Sequence, residues 1–203
     1  METDDQIETV LRVRAKKELR KRARGLRSAV PRDAILSRSS RILDALCALP
    51  EIMEAASVAM FYPIEGRNEV HLVDLDPRLR ERGIRVAYPS IDPDAGTMTF
   101  RFVDTPDALE ERGYGFREPD PAAEEALTLG AVVVPCLQID PRGYRIGYGA
   151  GYYDRTLPRF CPPAHAIAVA FDFQLVSEVP ETPHDVPVHL VVTDTRQIRV
   201  TPP

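Results

Sequence analysis

The sequence predicts an α/β fold built on a largely parallel sheet. Three observations carry this. Short apolar runs alternate with stretches of helical periodicity along the chain. Two of the runs, Ala131–Val134 (AVVV) and Ile167–Phe171 (IAVAF), are apolar throughout, as strands covered on both faces must be. The 203 residues are 44% apolar and 28% charged, enough to close one core without staples. A single domain over residues 1–203 is expected, since neither an internal repeat nor a low-complexity linker interrupts it.

The elements follow in order. Ile7, Leu11, Ala15, Leu19 and Leu26 recur at near-helical spacing and predict a first helix with an apolar stripe. Arg12, Lys16, Arg20, Arg24 and Arg27 form a neighbouring basic ridge. The helix should end near Ser28, before Pro31. A second helix is predicted from about 31 to 49 on Ile35, Leu36, Ile42, Leu43 and Leu46. The apolar run Ser57–Tyr62 then leads into a polar loop through Gly66 and Asn68. Residues 70–82 show helical periodicity stopped by Gly83, with Glu69 as the acid opening that helix. Ile84–Tyr88 reads as a strand, and Met98–Val103 alternates as a half-exposed strand would. Leu190–Thr193 and Ile198–Val200 close the chain.

Charge and composition exclude several classes. Twenty-six basic against 31 acidic residues give a net charge of −5, which argues against a nucleic-acid partner. No apolar run approaches the roughly 18 residues of a membrane span. The opening METDDQIETV lacks the apolar core of a signal peptide, so a cytoplasmic location is expected. Cys47, Cys136 and Cys161 form no CxxC and the four histidines have no zinc spacing, which leaves free thiols in a reducing compartment. The charge is uneven, however. Residues 12–27 hold nine basic side chains and one acid, Glu18, and include all three lysines, Lys16, Lys17 and Lys21.

The stretch Val134–Leu157 carries the most chemistry. After a buried strand, a loop with Asp140, Pro141 and Gly143 delivers Arg145. Gly147, Tyr148, Gly149, Ala150, Gly151, Tyr152, Tyr153 and Asp154 follow. Closely spaced glycines let backbone N–H groups approach a phosphate, and a helix starting near Gly151 aims its positive end there. Arg145 adds a forked donor and Asp154 a hard oxygen ligand suited to Mg²⁺. Walker A needs Gly-Lys-Ser/Thr, which is lacking. The dinucleotide fingerprint needs glycine at Tyr152 and a strand directly before Gly147. A plain glycine-rich turn and a solvated basic helix are the bland alternatives. Together, a phosphate-ready loop and a local cationic ridge suit a nucleoside triphosphate. Asp185 lies in a turn before a strand, and Tyr62, Tyr148, Tyr152 and Tyr153 present faces to stack on a heterocycle or to pack.

Taken together, the residues resemble the 5-formyltetrahydrofolate cyclo-ligase family. The resemblance rests on Lys16-Lys17-Glu18-Leu19-Arg20, on Phe61-Tyr62 leading to Glu69-Val70, and on Gly113-Tyr114-Gly115-Phe116 with Glu118-Pro119. It continues through the Pro135–Leu157 block ending Gly151-Tyr152-Tyr153-Asp154-Arg155 and the tail His184-Asp185-Val186-Pro187-Val188. It implies a three-layer α/β/α sandwich with a mainly parallel central sheet and an N-terminal basic helix. It also implies an ATP- and Mg²⁺-dependent ligase that turns 5-formyltetrahydrofolate into 5,10-methenyltetrahydrofolate, a monomer whose partners are the reduced folate and ATP.

Carried over by position, Lys16, Lys17 and Arg20 match phosphate-binding residues, and Arg145 with Gly147, Tyr148, Gly149, Ala150, Gly151, Tyr152 and Tyr153 match the ATP loop. Arg145 and Lys16 are the expected catalytic cations. Tyr62, Glu69, Tyr148 and Tyr152 match the folate side, and Asp154 and Asp185 the metal side. Some members carry arginine and lysine where Tyr148 and Ala150 stand. A catalytically inactive paralogue that binds folate or nucleotide is the alternative.

Overall fold

The structure, a computed structural model, describes residues 4–112 and 115–201, with side chains from Glu8 onward. Gly113 and Tyr114, which contribute to the resemblance, and the Ile7 side chain lie outside the described residues.

The helices α1 (Asp4–Ser28), α2 (Arg32–Cys47) and α3 (Pro50–Met53) precede strand β1 (Ser57–Ala59). Helix α4 (Leu75–Arg80) leads to β2 (Arg85–Asp92) and β3 (Thr97–Phe102). A short ladder, β4 (Glu110–Glu111) with β5 (Arg117–Glu118), comes before β6 (Ala131–Pro135). The hairpin β7 (Gln138–Ile139) and β8 (Arg145–Ile146) runs into α5 (Tyr152–Thr156). Strands β9 (His165–Val169), β10 (Leu190–Val192) and β11 (Gln197–Arg199) finish the chain.

Seven strands form the central sheet in the order β11-β10-β9-β6-β1-β2-β3. The five inner strands are parallel, and the edges β3 and β11 are antiparallel. The two-residue period of a strand sorts its side chains between two cores. Val58, Val133, Ile167 and Val192 pack with Ile35, Ile42 and Leu46 of α2, Ile52 of α3, and Leu75 and Leu79 of α4. Val132, Val134, Ala168 and Val191 face Phe100, Leu157 and Phe160 on the other side. The apolar runs at 131–134 and 167–171 are therefore covered on both faces, as expected.

Three sequence expectations change. The helix predicted over 70–82 shrinks to Leu75–Arg80. Pro77 has no N–H to continue an α-helix that began before it, so it fits only in the first turn. Val70 and Leu72 are buried from a segment without regular secondary structure instead, and Glu69 does not open a helix. A strand, β8, does directly precede Gly147. The third change concerns α1, whose boundary at Ser28 matches but whose docked face does not. Leu11, Ala15 and Leu26 are exposed, whereas Lys16, Ala23 and Arg27 are buried. Ala23 and Leu19 pack on a small third core with Leu137, Ile146, Val179, Tyr144 and Tyr148. The basic ridge thus faces the protein.

Candidate functional site

A cleft of about 640 Å³ opens where the sheet reverses its winding. From β1 the chain steps to β2 and β3 on one side, and later to β6, β9 and β10 on the other. Such a switch point leaves a crevice beyond the carboxyl ends of the two central strands. Phe61 and Tyr62, just after β1, and Pro135, at the end of β6, line it here. Pro89 and Ile91 of β2 extend the apolar floor.

Asp140 builds the hairpin that aims Arg145. Its carboxylate is fully buried and accepts backbone N–H bonds from Arg142 (2.9 Å), Tyr144 (3.1 Å) and Val179 (3.0 Å). Gly143 turns the hairpin at φ +84°, and a Cβ there would lie 2.7 Å from the Val188 carbonyl oxygen. Arg145 leaves β8 buried and points into the cleft. One of its nitrogens donates to the Val186 carbonyl (2.5 Å), the other to Asp154 Oδ1 (2.8 Å). Asp154 sits in the first turn of α5 and also accepts the Val186 N–H (3.2 Å).

The glycine loop runs from Gly147 to Gly151 along the cleft. Gly149 and Gly151 have φ of +114° and +70°, a region that suits glycine. Ala150 does not share it, because Asn68 is the one non-glycine with positive φ among the described residues. Helix α5 is only five residues long, so its dipole is a small term beside the arginines.

Helix α1 supplies the opposite wall. Arg20 Nε donates to the Gly147 carbonyl (3.1 Å) and Arg24 to the Tyr148 carbonyl (3.3 Å). Burial first, and the neighbouring Arg24 second, hold the Arg20 guanidinium below its usual value. An anion at the loop would relieve that crowding. Lys16 forms a buried ion pair with Asp185. Burial pushes the Asp185 carboxyl up, but its bonds from Lys16 and from the Thr182 N–H and hydroxyl outweigh this and hold it below the ordinary aspartate range.

Glu69 closes the far end. It is 6% exposed, accepts the Ile64 N–H at Oε2 (2.8 Å), and takes the Tyr148 hydroxyl at Oε1 (2.7 Å). Burial and then Glu69 push the Tyr148 phenol up to about 12. Tyr62 lines the same cleft, with the Arg117 guanidinium 5.2 Å from its ring centroid.

The structure therefore brings together Lys16, Arg20, Tyr62, Glu69, Arg145, the loop from Gly147 to Tyr153, Asp154 and Asp185. It leaves Lys17 exposed and outside the lining. Sequence reasoning gave no site role to Arg27, Arg67, Phe116 or Arg117. Phe116 lay in a quoted motif, and Arg27 lay on the basic ridge, where its burial could not be read.

Among the described residues, no three His, Cys, Asp or Glu side chains form a cage for a metal ion. Mg²⁺ does not require one, since it usually takes one or two carboxylates plus phosphate oxygens and water. Asp154 makes its protein bonds through Oδ1 and Asp185 through Oδ2. Each other oxygen takes no protein hydrogen bond among the described residues, so the donor set fits a cation that arrives with its phosphates.

Comparison with known proteins places these residues in context. The family model "5-formyltetrahydrofolate cyclo-ligase family" matches residues 12–194. The 5-formyltetrahydrofolate cyclo-ligase of Mycolicibacterium smegmatis is 36% identical over 148 residues, covering 70% of this chain and 75% of that protein. That of Escherichia coli K12 is 30% identical over 152 residues, covering 72% and 82%. The NMR structure of Aquifex aeolicus 5,10-methenyltetrahydrofolate synthetase superposes with a TM-score of 0.79 at 29% identity, over 93% of this chain and 94% of that one.

Proposed function

The chain belongs to the 5-formyltetrahydrofolate cyclo-ligase family, and on that premise we propose that it converts 5-formyltetrahydrofolate to 5,10-methenyltetrahydrofolate at the expense of ATP, with Mg²⁺. The observation that carries this reading is the pairing of a glycine loop and two buried cations, Lys16 and Arg145, with the buried carboxylate Glu69 in one cleft. One end offers charge to phosphates and the other accepts hydrogen bonds from a heterocycle.

The chemistry asks for both ends. The formyl oxygen attacks the γ-phosphorus, an O–P bond forms, and the bond to the ADP oxygen breaks. N10 then attacks the activated formyl carbon and loses its proton, and phosphate leaves with the former formyl oxygen. Both steps are accelerated by positioning and by fixed charge near the phosphoryl group. Arg145, held by Val186 and Asp154, meets charge developing on that group. Lys16 and Arg20 neutralise the other phosphate oxygens, aided by backbone N–H groups of the loop. Asp154 and Asp185 would hold Mg²⁺, which supplies further neutralisation of phosphate charge. Glu69 accepts donors of the pterin ring, and Tyr62 and Tyr152 give it faces to stack against. We read the protein as a single-domain cytoplasmic monomer. Among the described residues no helix is long and apolar enough to cross a membrane.

The test is the absorbance of 5,10-methenyltetrahydrofolate on mixing protein, Mg-ATP and 5-formyltetrahydrofolate. A signal that requires ATP and is lost in Asp154→Ala is the expected result. Folded wild-type protein that gives no signal would overturn the reading in favour of a noncatalytic folate or nucleotide binder.

A further inference from the structure

Tyr148 does more than line the cleft. Its hydroxyl accepts a hydrogen bond from Arg27 Nη2 (2.5 Å) while donating to Glu69 Oε1 (2.7 Å). Arg27 and Glu69 are both buried, and their own closest approach is 3.9 Å. The phenol therefore bridges a buried cation and a buried anion. Two guanidiniums also lie near its ring, Arg24 at 5.4 Å and Arg27 at 5.7 Å from the centroid. The Arg27 Nε is buried and has no hydrogen-bond partner among the described residues, while its Nη2 donates to the phenol.

The backbone of this residue belongs to a different part of the site. Gly147 and Gly149 flank it, and its carbonyl is held by Arg24 while that of Gly147 is held by Arg20. Phosphates seated on the loop must compete for Arg20 and rearrange or fix these carbonyls. The same residue that takes that strain carries the hydroxyl on Glu69. Both Glu69 oxygens are already engaged, Oε2 by the Ile64 N–H and Oε1 by the phenol. Each oxygen keeps one lone pair, and the direction of that lone pair is set by the bond already made.

We propose that the Arg27–Tyr148–Glu69 relay couples the two halves of the cleft, so that a triphosphate on the glycine loop fixes Tyr148, orients Glu69 and tightens binding of the folate. This rests on the folate and ATP assignments above. Tyr148 is a positioning residue in this scheme, acting on the folate through Glu69. Coupling between sites is reciprocal, so the folate must tighten the triphosphate by the same factor. Because burial and then Glu69 favour the protonated phenol, the donor persists throughout the neutral pH range.

Titration calorimetry tests the coupling without turnover. Folate affinity is measured with the loop empty and with a Mg²⁺ complex of a non-hydrolysable ATP analogue. Wild type should gain about tenfold in folate affinity from the analogue, within the usual range for coupled sites. Tyr148→Phe removes one oxygen and keeps the ring; its gain should fall to about onefold while the analogue alone still binds. Arg27→Gln, which keeps a donor but not the charge, should also reduce the gain, and the unchanged circular dichroism of either variant guards against misfolding.

A wild-type gain that survives in Tyr148→Phe overturns the relay. So does wild-type protein that binds both ligands with no gain. Failure of the wild type to bind either ligand overturns the functional reading instead, and the two failures are thereby distinguished.

Discussion

The two ends of the cleft handle their acids differently. At the phosphate end, Asp154 and Asp185 are each joined to a cation, Arg145 and Lys16 respectively. At the folate end, Glu69 is held by a backbone N–H and a phenol, with its nearest guanidinium at 3.9 Å. The first arrangement holds cations in place with their charge balanced by a carboxylate, and phosphates with a metal would exchange partners with them. The second keeps a carboxylate oriented and unspent, so it can accept donors from a neutral ring. In the proposed reading, a polyanion and a heterocycle would meet surfaces prepared in opposite senses, within one pocket.

The largest effect should come from breaking the phosphate end. Arg145→Ala removes charge aimed at the transferred phosphoryl group and should lower kcat roughly 10²–10³-fold, by analogy with removing a preorganised donor. Single-turnover kinetics would show the chemical step slowed while folate affinity holds; an unchanged rate removes Arg145 from the mechanism. Glu69→Gln probes the other end. It should weaken folate binding by about tenfold, the size of one charged hydrogen bond, and leave ATP affinity alone. Equal losses for both ligands would mean that Glu69 supports the cleft as a whole.

A smaller effect comes from pH. The carboxyl of Asp185 sits below its ordinary range in the folded protein, because Lys16 and Thr182 outweigh burial. A depressed folded pKa means the contribution to stability is present above the unfolded value of about 3.9 and is lost as pH falls below it. Thermal melts from pH 5 down to pH 3 should therefore fall less steeply for Asp185→Asn than for wild type; parallel curves would show that the pair adds nothing. Smallest of all, Lys17→Ala should alter kcat and both affinities by less than about twofold, the usual outcome on an exposed face. A larger loss would return Lys17 to the phosphate end.

Much of the fold is legible in the sequence alone. The runs at 131–134 and 167–171 are apolar without alternation, and only a sheet covered on both faces explains that. The glycine loop, Arg145 and Asp154 could be picked out because they are adjacent in sequence, whereas Asp185 entered the site only through the family resemblance. What failed was the orientation of α1. An apolar stripe normally marks the buried face, but here Leu11 and Leu26 face solvent and Lys16 and Arg27 do not. Partners 169 residues away in sequence, such as Asp185 for Lys16, satisfy those charges, and local periodicity cannot register them. Arg27 was hidden for the same reason, since its role depends on a phenol 121 residues further on. The sequence reads Glu69 as the acid opening a helix and gives it a folate role only by resemblance; the helix instead starts at Leu75, because Pro77 fits only in a first turn.

The long sequence separation within the Lys16–Asp185 pair bears on how the protein is made. A chain emerging from the ribosome exposes its basic ridge first and the aspartate that answers Lys16 nearly last. When the nine cations of residues 12–27 are made, none of the acids of the cleft has yet been added. Glu69 comes within reach partway, then Asp154, then Asp185. A nascent chain that stops short of residue 185 thus lacks the partner of Lys16, and that last acid of the cleft arrives just before the sheet is closed by β10 and β11.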